Sequence, residues 1–199
     1  MNYLAHVVLA GPDPEAQLGN FLGDFVTGTL AGLRGRYPAA VLAGIALHRR
    51  IDAWTDAHPR HRASCARIHP RHRRLAGVIV DVGYDHVLTR RWDQHVGEAR
   101  EAFIAAFYRL LEENRALLPE RLSRHLPRLI GENWLGCYGD RDGLGVTFTR
   151  MSRRLRRPEL LVGAEAEVAR HYGALEADFE AFFPELQAQV RAWQVEARG

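Results

Sequence analysis

The stretch RRLAGVIVDVGYDHVLTRRW, residues 73–92, decides the fold. Its Val78-Ile79-Val80 cluster has the β-branched character of a strand. The apolar pattern, however, runs much further than an ordinary strand does. Leu75, Val78, Val82 and Asp85 also recur at helical spacing. The stretch therefore reads as a helix. On it, Asp81 and Asp85 lie four residues apart and share a face with Val78, Leu88 and Trp92.

The neighbouring segments agree. EAFIAAFYRLLEENRALL (101–118) sets Phe103, Ala106, Phe107, Leu110, Leu111, Leu117 and Leu118 close to the i, i+3, i+4, i+7 template. YPAAVLAGIALHRRIDAWTD (37–56) opens with Pro38 at a plausible first helical position and closes before Pro59. Residues 159–197 predict a helical tail broken near Pro184. Two segments read as irregular: a loop over 57–74, and a long connection over 131–157 that is rich in glycine up to Gly145. Alternation of period two is scarce, and there is no strand–helix–strand rhythm. The expectation is an all-α, single-domain helical bundle, without internal repeats or linkers.

Composition narrows the function. A chain of 199 residues with 47% hydrophobic content can bury one good core. The opening MNYLAHVVLAGPDPEAQ lacks a basic leader, and its apolar run is interrupted by His6 and ends at Gly11. It resembles neither a signal peptide nor a membrane span, so a soluble, cytoplasmic protein is expected. Cys65 and Cys137 are the two cysteines and show no metal-ribbon or disulfide-framework spacing. The formal charge is +3 and every basic side chain outside histidine is arginine. Arginine keeps its charge and matches phosphate or carboxylate with a planar fork.

The chemistry concentrates on a few helices. His48, Asp52 and Asp56 fall on one stripe of the 37–56 helix, beside Val41 and Ile45. The opposite sector carries Ala43, Leu47, Ile51 and Trp54, so this helix is apolar on two sides and central. A carboxylate there is costly unless it is paired or bound to a cation. Asp81 and Asp85 repeat the pattern, and GNFLGDFVTG (19–28) sets Asp24 among Phe21, Leu22 and Phe25. Inward carboxylates on facing helices are how helical bundles build metal sites. Oxygen donors with one or two imidazoles suit Mg²⁺ or Mn²⁺. Read singly, each aspartate is more readily an arginine partner or a cap than a metal ligand, with Arg49 and Arg50 at hand, and Asp56, the weakest candidate, could simply end its helix or start a turn.

Two runs are strongly basic. Residues 57–74 hold six arginines, four histidines and no acid, and residues 150–157 hold five arginines. They read either as a solvated face or as a docking surface for a polyanion. Aromatic residues are few there and no nucleic-acid signature appears, so neither nucleic acid nor membrane is an expected partner.

Several blocks together resemble the acyl carrier protein phosphodiesterases: MNYLAH at the start, GNFLGDFVTG, AGIALHRRIDAWTDAHP (43–59) and LAGVIVDVGYDHVLTRRW (75–92). The likeness is dense over residues 1–92 and continues more loosely through NWLGCYGDRDGLGVTFTRMSRR (133–154). It implies hydrolysis of the phosphodiester joining 4'-phosphopantetheine to the serine of holo-acyl carrier protein, Mn²⁺ dependence (or Mg²⁺), and a helical fold distantly related to the HD phosphohydrolases. The chain has no His-Asp dipeptide, only the reversed Asp85-His86, so that superfamily's ligand set does not transfer by inspection.

Combining residues and resemblance, Asp24, His48, Asp52, Asp81 and Asp85 are the expected metal ligands. Arg49 or Arg50 would clamp phosphoryl oxygens, and His6 and His86 would act as acid or orienting groups. Arg60, Arg62, Arg71, Arg73 and Arg74, joined by Arg153 and Arg154, would dock the acidic carrier protein. The competing readings are an HD-type phosphohydrolase acting on nucleotides or another small phosphodiester, and a non-catalytic helical module binding an acidic partner. Oligomeric state has no signal in the sequence.

Overall fold

A computed structural model of the chain describes residues 1–197. The helices are α1 (Tyr3–Leu9), α2 (Pro14–Leu22), α3 (Leu30–Leu33), α4 (Ala39–Ala57), α5 (Pro59–His72), α6 (Ala76–Arg90), α7 (Trp92–His95), α8 (Arg100–Glu113), α9 (Glu120–Gly131), α10 (Arg141–Ser152) and α11 (Ala164–Glu196). Among the described residues there is no strand, only an isolated bridge between Arg34 and Tyr37. The all-α expectation holds, and the Val78–Val80 cluster is helical within α6.

Three local expectations are corrected. Residues 57–74 are mostly helix, not loop. Pro59 occupies the first turn of α5, and the His58 side chain caps it by accepting from the Arg60 amide at 3.2 Å. Its buried stripe is His61, Ser64, Ile68 and His72, spaced as a helix requires but built mainly from polar residues, which a hydropathy pattern passes over. The glycine-rich segment before Arg157 is not one long connection. It contains α10, capped by Asp140 accepting from the Gly143 amide at 2.8 Å and anchored by Leu144, Thr147 and Phe148. Finally, α11 runs unbroken through Pro184. Proline removes one backbone donor, but Pro184 faces solvent, where water can serve the freed carbonyl. On the other face Phe179, Phe182, Phe183 and Leu186 are buried on both sides of it.

Backbone contacts gather the chain into two compact units, neither continuous in sequence. The first comprises Tyr3–Ala53 and Asp93–Gly136; the second comprises Met1–Asn2, Trp54–Trp92 and the chain from Cys137 onward. In the second unit α5, α6 and α11 pack on one another. There Tyr84 meets Phe179 and Phe182 at ring-centroid distances of 5.4 and 5.5 Å. Buried acids in this unit are answered by cations and hydroxyls: Asp178 accepts from Ser64 at 2.9 Å and pairs with Arg67, and Glu167 pairs with Arg71 at 3.1 Å.

In the first unit α1 packs on α2 and α2 on α8. An aromatic cluster holds them, with Phe21 against Tyr3 at 5.5 Å and against Phe107 at 5.1 Å. Helices α2 and α4 approach at two glycines. A Cβ on Gly19 would lie 2.1 Å from the Val41 carbonyl, and one on Gly44 would lie 2.6 Å from the Ala16 carbonyl. Both obstacles are backbone and cannot swing away. Gly19→Ala and Gly44→Ala should each lower the denaturant midpoint by an equivalent of about 1–3 kcal/mol, the usual cost of overpacking. Gly173→Ala, on the exposed side of α11 with open space around it, should instead raise the midpoint by up to about 1 kcal/mol. Equal effects at the three positions would contradict the close helix crossing.

Candidate metal centre

The α2–α4 crossing places four polar side chains in one spot of the first unit. His6 comes from α1, Asn20 from α2, and His48 and Asp52 from successive turns of α4. His6 and Asn20 are fully buried, and His48 nearly so. The His6 Nε2 atom lies 3.0 Å from Asp52 Oδ1, and His48 Nε2 lies 3.1 Å from Asp52 Oδ2. The two imidazoles stack, with centroids 4.0 Å apart and planes 28° from parallel. Asp52 keeps 43% of its side chain exposed, so the cluster opens to solvent through this carboxylate.

Among the described residues, His6, His48 and Asp52 form the one group of three His, Cys, Asp or Glu side chains with converging ligand atoms, all within 4.8 Å. Burial holds the His6 imidazole below its ordinary pKa, although its hydrogen bond to Asp52 pulls the other way. Burial would raise Asp52, but the hydrogen bonds of His48 and His6 overcome it and keep the carboxylate ionised. A neutral buried imidazole beside a persistent carboxylate is the protonation pattern of a metal-ligand set. His48 Nδ1 is buried without a hydrogen-bond partner, so the ring's polar interaction runs through Nε2. Gly23 is needed beside it, because a Cβ there would fall 2.1 Å from His48 Cγ.

Other expected site residues take other places. Asp24, in the turn after α2, stands at the edge of the cluster with Oδ1 4.0 Å from His48 Nε2. Partial burial raises its carboxyl above the ordinary range, against the opposing pull of His6 and His48. Arg49, half-buried, and Arg50, exposed, follow His48 along α4. Asp56 is exposed near the end of α4, where its backbone carbonyl accepts from Arg62 Nε at 3.0 Å.

Asp81, Asp85 and His86 belong to the second unit and stand outside the His6–His48–Asp52 group. Asp81 is neutralised locally, 3.0 Å from His61 Nε2 and 3.0 Å from the Met1 α-amino nitrogen. Asp85 is fully buried in α6, and its backbone carbonyl accepts from Thr89 Oγ1 at 2.8 Å. His86 donates from Nδ1 to the Tyr138 carbonyl, and burial lowers its pKa against that bond.

The arginines expected at the docking face are divided. Arg60 reaches Asp178 at 3.5 Å, and Arg62 and Arg71 are tied as described. Arg73 and Arg74 line a cavity of about 550 Å³ with His69, His72 and Arg157. Arg153 and Arg154, just beyond α10, are exposed. Two polar residues stand out that the sequence reading did not single out. Asn20 lies inside the quoted GNFLGDFVTG block, an amide on an otherwise apolar helix face. His61 sits four residues before Cys65 in α5, a spacing that only matters once α5 is known to be a helix.

Residues 1–186 match the family described as "Acyl carrier protein phosphodiesterase". The chain belongs to the acyl carrier protein phosphodiesterase family. Relatives bearing that name include proteins of Serratia proteamaculans, 36% identical over 196 residues, and Pectobacterium atrosepticum, 33% identical over 198 residues. Each match covers 98% of this chain and 100% of the relative. A third, from Photorhabdus laumondii, is 34% identical and covers 96% of this chain and 95% of its own length. No solved structure matches the chain. No helix among the described residues is long and apolar enough to cross a membrane.

The His61–Asp81 pair gives a pH signature of its own. Burial would lower the His61 pKa, but hydrogen bonds to Asp81 and Cys65 outweigh it and hold it up to about 9. A folded pKa above the unfolded value of about 6.5 means stabilisation that is complete below pH ~6.5 and lost as pH rises through about 9. Denaturant midpoints measured from pH 6 to pH 9.5 should therefore decline by an equivalent of about 2–3 kcal/mol. His61→Asn should flatten most of that decline. An unchanged slope in His61→Asn would refute the pairing.

Proposed function

We propose that this chain is a metal-dependent phosphodiesterase of the cytoplasm that removes 4'-phosphopantetheine from holo-acyl carrier protein. The products would be apo-acyl carrier protein and the free phosphopantetheine arm. The reading rests chiefly on one observation: the nearly full-length match to the acyl carrier protein phosphodiesterase family. The convergence of His6, His48 and Asp52 at a solvent-facing spot adds the chemistry.

The donor set fits a divalent cation, Mn²⁺ or Mg²⁺. His6 Nε2, His48 Nε2 and the Asp52 carboxylate would hold it, with Asp24 at the edge as a ligand or through water. When bound, such a cation supplies positive charge beside the phosphodiester and acidifies water enough to give a nucleophile near neutral pH. His6 does not suit the role of general acid, because its ring is fully buried and its Nδ1 faces Asn20. It serves as a ligand instead. Arg49, half-buried one residue after His48, is placed to draw in an anionic substrate.

Acyl carrier proteins are acidic, and the second unit offers arginine without matching acid at one place. Arg73 and Arg74 have no carboxylate partner among the described residues, and no acid lines their cavity. They would meet the carrier's acidic surface, with Arg60, Arg62, Arg71, Arg153 and Arg154 as further contacts.

The direct test follows the mass of holo-acyl carrier protein during incubation with and without Mn²⁺. Loss of the arm should require metal and should stop on chelation. His48→Ala and Asp52→Ala should each lower kcat/KM by about 10³-fold or more, the several kcal/mol a metal contributes. Release of the arm at full rate by metal-stripped protein would overturn the metal reading. Reversing Arg73 and Arg74 to Glu should raise KM for the carrier about tenfold at low salt while leaving kcat close to wild type. A KM that stays put would remove these residues from the docking surface.

A further inference from the structure

The reading of His6 and His48 as metal ligands leaves unexplained why a fully buried asparagine stands behind one of them. Asn20 is 0% exposed on the inner face of α2. Its Oδ1 lies 2.9 Å from His6 Nδ1, and its Nδ2 is buried with no hydrogen-bond partner. Burying an amide with half of its capacity unused costs about 1–3 kcal/mol, whereas leucine or methionine would fill such a place without that cost. Asparagine is therefore poor packing here, and its one bond goes to the imidazole.

That bond has a definite chemical consequence. A carbonyl oxygen can only accept, so His6 Nδ1 must carry the ring proton when it faces Asn20 Oδ1. The neutral ring then presents a bare lone pair at Nε2. That atom is 3.0 Å from Asp52 Oδ1 and belongs, with His48 Nε2, to the group of converging donors. A lone pair and a carboxylate oxygen at that separation repel unless something positive lies between them, either a second ring proton, as in the hydrogen bond to Asp52, or a metal cation in its place. The arrangement suits a cation held by both. The opposite tautomer would place a proton on Nε2 and close the position.

We propose that Asn20 is the positioning residue of the metal centre: its side-chain carbonyl fixes His6 in the Nδ1–H tautomer and aims Nε2 at the cation. It does not touch metal or substrate and acts wholly through His6. The backbone explains how it is held in place. Asn20 follows Gly19, where α2 and α4 touch, and precedes Phe21, which is wedged against Tyr3 and Phe107. The amide therefore has little freedom to move away from the ring. This inference rests on the metal reading above.

The test compares wild type with Asn20→Leu and Asn20→Asp, using Mn²⁺ in titration calorimetry. Zn²⁺ serves as a diamagnetic probe for nitrogen-15 spectra of the labelled histidines. Circular dichroism first establishes that each variant is folded. Asn20→Asp retains an acceptor for Nδ1–H, and Mn²⁺ affinity should stay within about threefold. Asn20→Leu removes the acceptor and should weaken Mn²⁺ by about 10–100-fold, the usual effect of losing a residue that orients a ligand. In the Zn²⁺-loaded wild type and Asn20→Asp, the His6 Nδ1 proton should be visible and protected from exchange. In Asn20→Leu it should be lost to exchange. An Asn20→Leu protein that binds Mn²⁺ like wild type, or that keeps the protected proton, would overturn the role of Asn20 and leave the metal reading standing. A wild type that binds neither ion would overturn both. An Asn20→Leu chain that fails to fold leaves the decision to the wild-type spectrum, where a metal-loaded His6 without a protected Nδ1 proton refutes the proposal.

Discussion

The close crossing of α2 and α4 is the constraint on which the rest of the first unit depends. Two glycines let the backbones approach until a single added methyl group would strike a carbonyl. At an ordinary interaxial distance of about 8–10 Å, side chains from both helices would intervene and the polar cluster would be held apart. Here Asn20 on α2 instead reaches the ring of His6, and Gly23 leaves room for His48. The same crossing thus supplies both a packing contact and the geometry of the site. It also accounts for the GNFLGDF stretch: small residues where backbones meet, aromatics where α2 faces α1 and α8, and one amide where the imidazole stands.

The second unit solves a different problem. Its helix α5 carries almost no hydrocarbon on its buried face, offering His61, Ser64 and His72 around a single isoleucine. Such a face can be buried only if its polar groups are met. Ser64 has Asp178 and Tyr84, His61 has Asp81, and His72 Nδ1 donates to the Leu160 carbonyl. Asp178 is also met by Arg60 and Arg67 of the same helix, and Arg71 from that helix meets the buried Glu167. Networks of this kind seldom add more stability than a hydrocarbon core would, but removing one member strands a buried charge. Part of the chain's arginine content therefore works inside the fold, and what remains for a partner is a smaller set around Arg73 and Arg74.

This division marks what the sequence could and could not convey. Helices with apolar stripes, α4, α6 and α8, are legible because hydrocarbon recurs every three or four residues. Helix α5 is not, because its stripe is polar and its surroundings look like a charged loop. Pro184 misleads for a related reason: proline weakens a helix locally, but phenylalanines and a leucine buried on either side hold α11 together. Nor could composition announce two compact units, since one passage between them falls within α4, between Ala53 and Trp54. A boundary inside a helix has no linker to leave a trace. At the site, His48 and Asp52 were visible as an i, i+4 pair on an apolar helix. Asp81 carried the same signature, yet its partner is His61, a residue remote in sequence that no periodicity connects to it.

The identity of the donors bears on which cation the proposed centre would take. The sequence suggested a site dominated by carboxylates, which would suit Mg²⁺, a small ion that prefers oxygen ligands and keeps its water. The converging atoms are instead two imidazole nitrogens and one aspartate, with a second aspartate 4.0 Å from His48. Two of the three nearest donors are thus nitrogen. Replacing carboxylate by imidazole lowers the negative charge that a hard ion needs and adds donors that first-row transition ions accept readily. If the proposed centre holds a divalent cation, its two nitrogen donors would favour Mn²⁺ over Mg²⁺, a preference that turns on His6. Were His6 only a core histidine, one nitrogen would remain and the preference would weaken. In the proposed centre, the orientation of that single ring, set by the amide behind it, would separate a manganese site from a generic acidic pocket.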